Sequence, residues 1–393
     1  MRRDSRQRLP KLCIVGLSCV QDSACTKRKC NILMAPPSKR SRQSPAPRAS
    51  KETDVKRLVN RYRSATSDEL RAVLEKRTVL PYPLMRYHLG WEDRHGRSVK
   101  ARGGKLLRPT LCLLSCDAVG GDWRRAAPAA AALELLHNFT LIHDDVEDAS
   151  LHRHGRETLW TLWGEAQAIN VGDGMFVLSH VTLLRLREQG FSPEQVLQAV
   201  HMLDQATLRL CEGQHRDLVY ADEREIDLRD YLAMIEGKTA VLLAASSGIG
   251  ALLGGGPGEV VQALSDFGRH LGLAFQIRDD VLGIWGDTDE TGKPTGDDLR
   301  AGKKSYPVVV AFERGSAQDR EALASLLADG DLSDAAVRRA YKLLERLDAR
   351  QESERAAQQH VEAALACLAG LPLRPQRLQE LEQLAHFAAQ RHS

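Results

Sequence analysis

Two acidic clusters in this sequence have the residue types and spacing to hold a divalent cation against a phosphate. The first is His143-Asp144-Asp145-Val146-Glu147-Asp148. Asp144 and Asp148 lie four apart, so on a helix they share one face, with Asp145 beside them. Carboxylates this close repel one another, and the helix end expected near residue 143 adds partial negative charge of its own. A positive partner must compensate. Oxygen ligands with room left for water and phosphate suit Mg²⁺, which seldom takes an all-protein cage. Arg153, His154 and Arg156 follow directly, completing an anion trap of carboxylate, metal and guanidinium. Taken alone, such a run is equally well explained as a solvated helix end.

The second cluster changes that balance. Asp279-Asp280 closes the helical stretch Phe267–Gln276, and the acidic loop Asp287–Asp298 then leads to Lys303-Lys304. The front of that loop, Asp287-x-Asp289-x-Thr291-Gly292, resembles a calcium EF-hand. Its rear does not, because Pro294 takes the apolar position and Asp298 stands where a bidentate Glu is needed.

Between the clusters lies Gly237-Lys238-Thr239, the ending of a nucleotide-binding P-loop. Leu232 occupies the place of that loop's first glycine and no parallel-strand context precedes it, so an ATPase is excluded, while Lys238 remains a phosphate contact. Upstream, Gly103-Gly104-Lys105-Leu106-Leu107-Arg108-Pro109 sets two cations three apart at a helix entry, where backbone amides favour anions. His137 lies seven residues before Asp144, two turns away on the same face. His137, His143, His152 and His154 do not form a zinc-ligand pattern.

The elements that carry these residues read as helices from Lys51 onward. Apolar residues recur at three- and four-residue spacing, as in Val196-Ala199-Val200-Leu203, among Leu, Ala, Glu, Arg and Gln. Ser192-Pro193-Glu194 and Ser333-Asp334 look like helix starts. Val308-Val309-Val310, after Pro307, is the main β-branched cluster, and no solenoid repeat is present. Thr239–Gly258 is uncharged over a length that could span a membrane, but its glycines and proline point to a buried helix, a turn and the next helix start. The expected fold is all-α, one large helical domain over 51–393, without a transmembrane segment.

Residues 1–50 differ. They hold twelve basic and two acidic side chains in a chain of 393 residues whose net charge is +3. The tail is therefore +10 and the remainder −7, which argues against a nucleic-acid-binding body. Its basic, Ser and Pro residues predict disorder. Leu12–Val20 lacks the cleavage site of an export signal, and Met34 is an alternative start. Eight cysteines without regular spacing suggest a reducing, cytoplasmic setting.

In this order, the motifs resemble those of the trans-type isoprenyl diphosphate synthases, the polyprenyl synthetase family, over about Arg102 to Pro307. The family's first DDxxD motif is matched by Asp144, Asp145 and Asp148. The second is matched at Asp279 and Asp280, with Gly283 in place of the third Asp, and the second arginine of the usual pair is His154. The resemblance implies an isoprenoid-synthase helical bundle, three Mg²⁺ held by Asp144, Asp145, Asp148, Asp279 and Asp280, and a homodimer. It assigns Lys105, Arg108 and His137 to isopentenyl diphosphate. It assigns Arg153, Lys238, Thr239, Gln276, Lys293 and Lys303 to an allylic diphosphate (dimethylallyl, geranyl or farnesyl).

Such an enzyme ionises an allylic C–O bond by stabilising the departing diphosphate, then joins the carbocation to isopentenyl diphosphate in a dry cavity. A proton then leaves, taken by the diphosphate itself. Product length is expected to depend on the side chains one turn above the first motif, Phe139 and Thr140. One aromatic beside a small residue resembles the geranylgeranyl (C20) type, with farnesyl diphosphate synthase the nearest alternative. A class I terpene cyclase would have no use for Lys105, Arg108 and His137. A non-catalytic subunit gains some footing from Gly283 and His154, and the intact acidic residues and Lys238 argue against it.

Overall fold

The computed structural model describes residues 48–99, 104, 106–286, 296–327 and 332–390. Most of the basic tail, Lys105 and Lys293 lie outside these. The described residues belong to one unit, Ala46–Ser393.

Helix α1 (Arg48–Leu74) opens the domain, followed by the short α2 (Tyr82–His88), α3 (Leu107–Ala118) and α4 (Ala127–Glu147). A hairpin, β1 (His152–Arg153) and β2 (Arg156–Glu157), pairs His152 with Glu157. These are the only strands among the described residues. Positive φ at His154 and Gly155 gives the two-residue turn that matches strand twist. Next come α5 (Leu159–Trp163), α6 (Glu165–Leu184), α7 (Pro193–Asp222), α8 (Leu228–Ile235), α9 (Val241–Leu253) and α10 (Gly258–Trp285). The chain closes with α11 (Asp297–Arg300), α12 (Tyr306–Arg314), α13 (Ala317–Leu327), α14 (Asp334–Arg346), α15 (Ala349–Leu368) and α16 (Pro375–Gln390).

The expected starts are present. Ser192 caps α7 in a reciprocal capping box with Gln195, and Ser333 accepts from the Ala336 amide at the head of α14. The uncharged stretch is α9, a Gly254–Gly256 turn and the start of α10. The helical run Leu228–Leu253 is apolar and long enough to cross a membrane, yet 72% of its apolar window is buried inside the domain.

Two expectations are revised, and the β-branched cluster finds its place. Val308–Val310 lie in α12, because Pro307 sits at the helix N-terminus, where its missing N–H costs nothing. The first acidic run does not follow a helix that ends at 143, since α4 continues to Glu147 with Asp148 as its C-cap. Likewise α10 passes through Asp279 and Asp280 to Trp285. Both pairs are thus set rigidly on helices.

Helix α4 lies deep in the domain, with Ala129–Leu133, Leu135 and Leu136 fully buried, and packs against α6 and α3. Its alanines permit close helix approach. One hydrophobic cluster gathers α3, α4, α7, α9, the first part of α10 and α16. A second joins α8 and the last turns of α10 to α12–α15. Asp279 and Asp280 lie on the stretch of α10 that serves the second cluster.

Candidate active site

A cavity of about 1150 Å³ runs among α1, α3, α4, the hairpin, α7, α9 and α10. Its wall includes Arg108, His137, Thr140, Asp144, Asp145 and Arg153 from the first half of the chain. From the second half come Lys238, Thr239, Gln276 and Asp279. Side chains more than 170 positions apart in sequence therefore face one space. Leu141, Leu242, Leu243 and Phe275 supply apolar wall between them.

The acidic end centres on Asp144. Burial pushes its carboxyl up to about 6; Lys238 opposes that shift, and Asp148 adds to it. Lys238 Nζ lies 4.0 Å from Asp144 Oδ1 and 2.6 Å from Asp217 Oδ2. Burial works against the Lys238 charge, and Asp144 and Asp217 together outweigh it, holding the ammonium above its ordinary value. Asp217, on α7, was missed by motif reading because it belongs to neither acidic run. Asp148 is exposed as a residue and does not line the cavity, while partial desolvation of its carboxyl, opposed by Lys238, moves it upward.

The second member of each acidic pair is differently occupied. Asp145 is almost fully buried and accepts from Arg153 Nε at 2.8 Å. Asp280 is 1% exposed and does not line the cavity. It accepts from the Tyr231 hydroxyl, from the Tyr306 backbone amide at 2.8 Å and from Gln276 Nε2 at 3.1 Å. The Thr239 hydroxyl in turn donates to Gln276 Oε1 at 2.9 Å. Asp145 Oδ1 and both oxygens of Asp280 thus accept from protein donors, as buried carboxylates usually do.

Lys238 is positioned by a π-turn, Glu236–Ala240, a local widening often found at functional sites. Gly237 is not part of a phosphate loop. It crosses Gly213 of α7 at backbone contact: a Cβ on Gly237 would lie 2.8 Å from both the Arg209 carbonyl oxygen and Gly213 Cα.

The position of the absent third acid is also filled. A Cβ at Gly283 would collide with the carboxylate of Asp298, which reaches across from α11. Lys303 is exposed, donates its amide to the Asp298 carbonyl at 2.9 Å, and has Asp298, Asp280, Asp279 and Asp217 as its charged surroundings.

The opposite end is basic. Arg108 lines the wall with a buried Nε that has no hydrogen-bond partner among the described residues. Burial pushes its guanidinium down to about 10, against the support of Glu134. His137 is pushed well down, chiefly by burial and then by Arg108 and Arg153. A cavity wall that carries a buried guanidinium with an unpartnered N–H suits an anion. Arg156 has a different task, donating to the Tyr87 and Glu92 carbonyls at 2.6 and 2.7 Å. Phe139 does not line the cavity. It stands behind it, against His143 and Phe176 at ring distances of 5.1 and 5.3 Å, while Thr140 faces inward.

Among the described residues, no three His, Cys, Asp or Glu side chains converge as a preformed metal cage. The partly buried carboxylate of Asp144, one turn from exposed Asp148 and on the same cavity wall as Asp279, nevertheless fits a hard cation that keeps water and takes further oxygens from a phosphate.

The comparisons agree with this geometry. A family model described as polyprenyl synthetase matches residues 93–344. The chain is similar to a (2E,6E)-farnesyl diphosphate synthase of Mycobacterium tuberculosis, 41% identical over 317 residues that cover 79% of this chain and 86% of that one. It is also 37% identical to a geranylgeranyl diphosphate synthase of the same organism, covering 80% and 88%. Its structure is similar to a polyprenyl synthetase from Streptomyces coelicolor A3(2), with a TM-score of 0.79, 36% identity, and coverage of 85% and 99%.

Proposed function

We propose, from the premise that this chain belongs to the polyprenyl synthetase family and is a short-chain isoprenyl diphosphate synthase, that its product is geranylgeranyl diphosphate (C20). The reading is carried by one observation: Asp144 and Asp145 from the first acidic motif, Asp279 from the second, and a basic end, distant in sequence, line a single partly apolar cavity. Its substrates are isopentenyl diphosphate and an allylic diphosphate.

Asp144, Asp148 and Asp279 would hold the metal, and Asp145 and Asp280 hold Arg153 and Gln276 in place. Mg²⁺ held there would supply positive charge to offset that of the departing diphosphate. Lys238, Arg153, Thr239 and Gln276, with Lys303 and Lys293, hold the allylic diphosphate. Arg108 and His137, with Lys105, hold isopentenyl diphosphate at the basic end. Leu242, Leu243 and Phe275 keep water from the allylic cation until the isopentenyl double bond attacks it. The released diphosphate is the nearest base for the proton that leaves. The C20 length rests on Thr140 facing the cavity with the single aromatic Phe139 behind it. Incubation with isopentenyl diphosphate, Mg²⁺ and C5, C10 or C15 primers, followed by product sizing, tests it; a C15 end product would make the enzyme a farnesyl diphosphate synthase.

The enzyme is a homodimer in this reading. Val177, Val181 and Leu184 form an exposed apolar stripe on α6, and Leu197 and Leu208 extend it on α7. Such a stripe on a helix pair is a natural partner for its own copy.

A further inference from the structure

The π-turn that presents Lys238 to the cavity is held from its other side. Glu236, the first residue of the turn, is half-buried and does not line the cavity. Its carboxylate lies between two guanidiniums from different helices. Oε1 accepts from Arg209 of α7 at 2.6 Å, and Oε2 accepts from Arg269 of α10 at 3.2 Å. Arg269 is fixed in turn: its other terminal nitrogen donates to His270 Nε2 at 3.0 Å, and His270 Nδ1 lies 3.0 Å from His360 Nδ1 on α15. A guanidinium only donates, so His270 Nε2 accepts. The one N–H of the neutral His270 ring is then on Nδ1, and it donates to His360.

Three successive residues of the turn thus make three different contacts. The Glu236 side chain is tied to α7 and α10, Gly237 touches the Gly213 backbone, and Lys238 meets Asp217 and Asp144. Arg209 serves the first two at once, with its carbonyl oxygen against Gly237 and its guanidinium on Glu236. A π-turn is wider and rarer than the α-helix that flanks it, and it persists where its surroundings impose it. Relaxed to regular α-helix, the turn would rotate Lys238 about the axis by up to one residue's step, roughly 100°. A lone exposed ion pair is a poor anchor against that change. A half-buried carboxylate shared by two guanidiniums, one of them braced by a histidine pair, is a better one.

We propose that Glu236 is a positioning residue: clamped by Arg209 and Arg269, it holds the π-turn open and sets where the Lys238 ammonium meets the allylic diphosphate. Glu236 itself touches neither substrate. The inference rests on the assignment of Lys238 to that diphosphate.

The first readout needs no substrate. Acylation of Lys238 in the ligand-free full chain is followed by mass spectrometry, with the exposed Lys342 of α14 as internal standard. Glu236→Ala should speed the modification of Lys238 several-fold relative to Lys342, because the ammonium is no longer held on Asp217. The second readout is steady-state kinetics with Mg²⁺, isopentenyl diphosphate and geranyl diphosphate. Glu236→Ala should raise KM for geranyl diphosphate about tenfold and leave KM for isopentenyl diphosphate unchanged. Glu236→Gln, which keeps an acceptor for one arginine, should recover part of that loss. In a Lys238→Ala background, Glu236→Ala should cost nothing further. An unchanged labelling ratio, an equal rise in both KM values, or losses that multiply in the double variant would each overturn the proposal. Should Glu236→Ala fail to fold, Arg209→Gln decides: it removes one clamp and should move the labelling ratio in the same direction, and no movement overturns the proposal. Labelling that responds while Lys238→Ala keeps full activity removes the substrate assignment and leaves Glu236 as the anchor of the turn. Loss of activity in Lys238→Ala without a labelling response does the reverse.

Discussion

Asp144 concentrates the conflict between stability and chemistry in one side chain. Its folded-state pKa is raised to about 6 from 3.8, so the folded state keeps its proton over a range where the unfolded chain has lost it. Stability linked to this group is fully present below about pH 4 and is lost as the pH rises through about 6. Asp144→Asn removes the dependence. Metal-free Asp144→Asn should melt higher than wild type above pH 6, by roughly 3 kcal/mol at most, with the difference vanishing near pH 4 in thermal scans. The same variant should lose activity by orders of magnitude with Mg²⁺ and both substrates, since Asn is a poor ligand for a hard cation. Phe139→Ala opens space behind Thr140 and should lengthen the product; an unchanged profile by product sizing would remove Phe139 from control of length. At this scale the letters were informative, because paired acids and isolated cations betray themselves by cost. They could not divide Asp144 from Asp145, or Asp279 from Asp280. That division depends on which carboxylate meets Arg153 or Tyr231, and those partners come from other elements.

Helices were legible as helices, from spacing and from caps such as Ser192, while their ends were not. The chain runs α4 and α10 through their acidic residues because both helices are held by packing on neighbouring helices, which outweighs an unfavourable charge near a helix end. The π-turn at Glu236–Ala240 left no mark in the sequence beyond Gly237, which resembled a phosphate loop and proved to be a backbone crossing. That crossing makes a prediction. Gly213→Ala should force α7 away from the Lys238 amide, destabilise the fold by about 1–3 kcal/mol, and lower kcat by moving Lys238. Thermal melting and steady-state kinetics on one preparation check both parts. An exposed glycine replaced elsewhere, such as Gly258→Ala, should do neither, since a Cβ there meets nothing within 4 Å.

For the molecule as a whole, composition separated a +10 tail from a mildly acidic body and argued against a nucleic-acid-binding body. It carried no sign of whether copies associate. If the α6–α7 stripe joins two chains, Val177→Arg with Val181→Arg should halve the mass seen by light scattering while leaving the helical circular dichroism intact. The division into two hydrophobic clusters was equally hidden, because it follows from which helices meet and not from their sequences. It matters at Gly283, where the chain crosses from one acidic motif into space claimed by another segment. Spelled out letter by letter, the second motif is one carboxylate short; folded, it has Asp298 seated in the gap. An engineer who restored the family's spelling with Gly283→Asp would be crowding an occupied seat, and the repair would need Asp298 to be vacated in the same stroke.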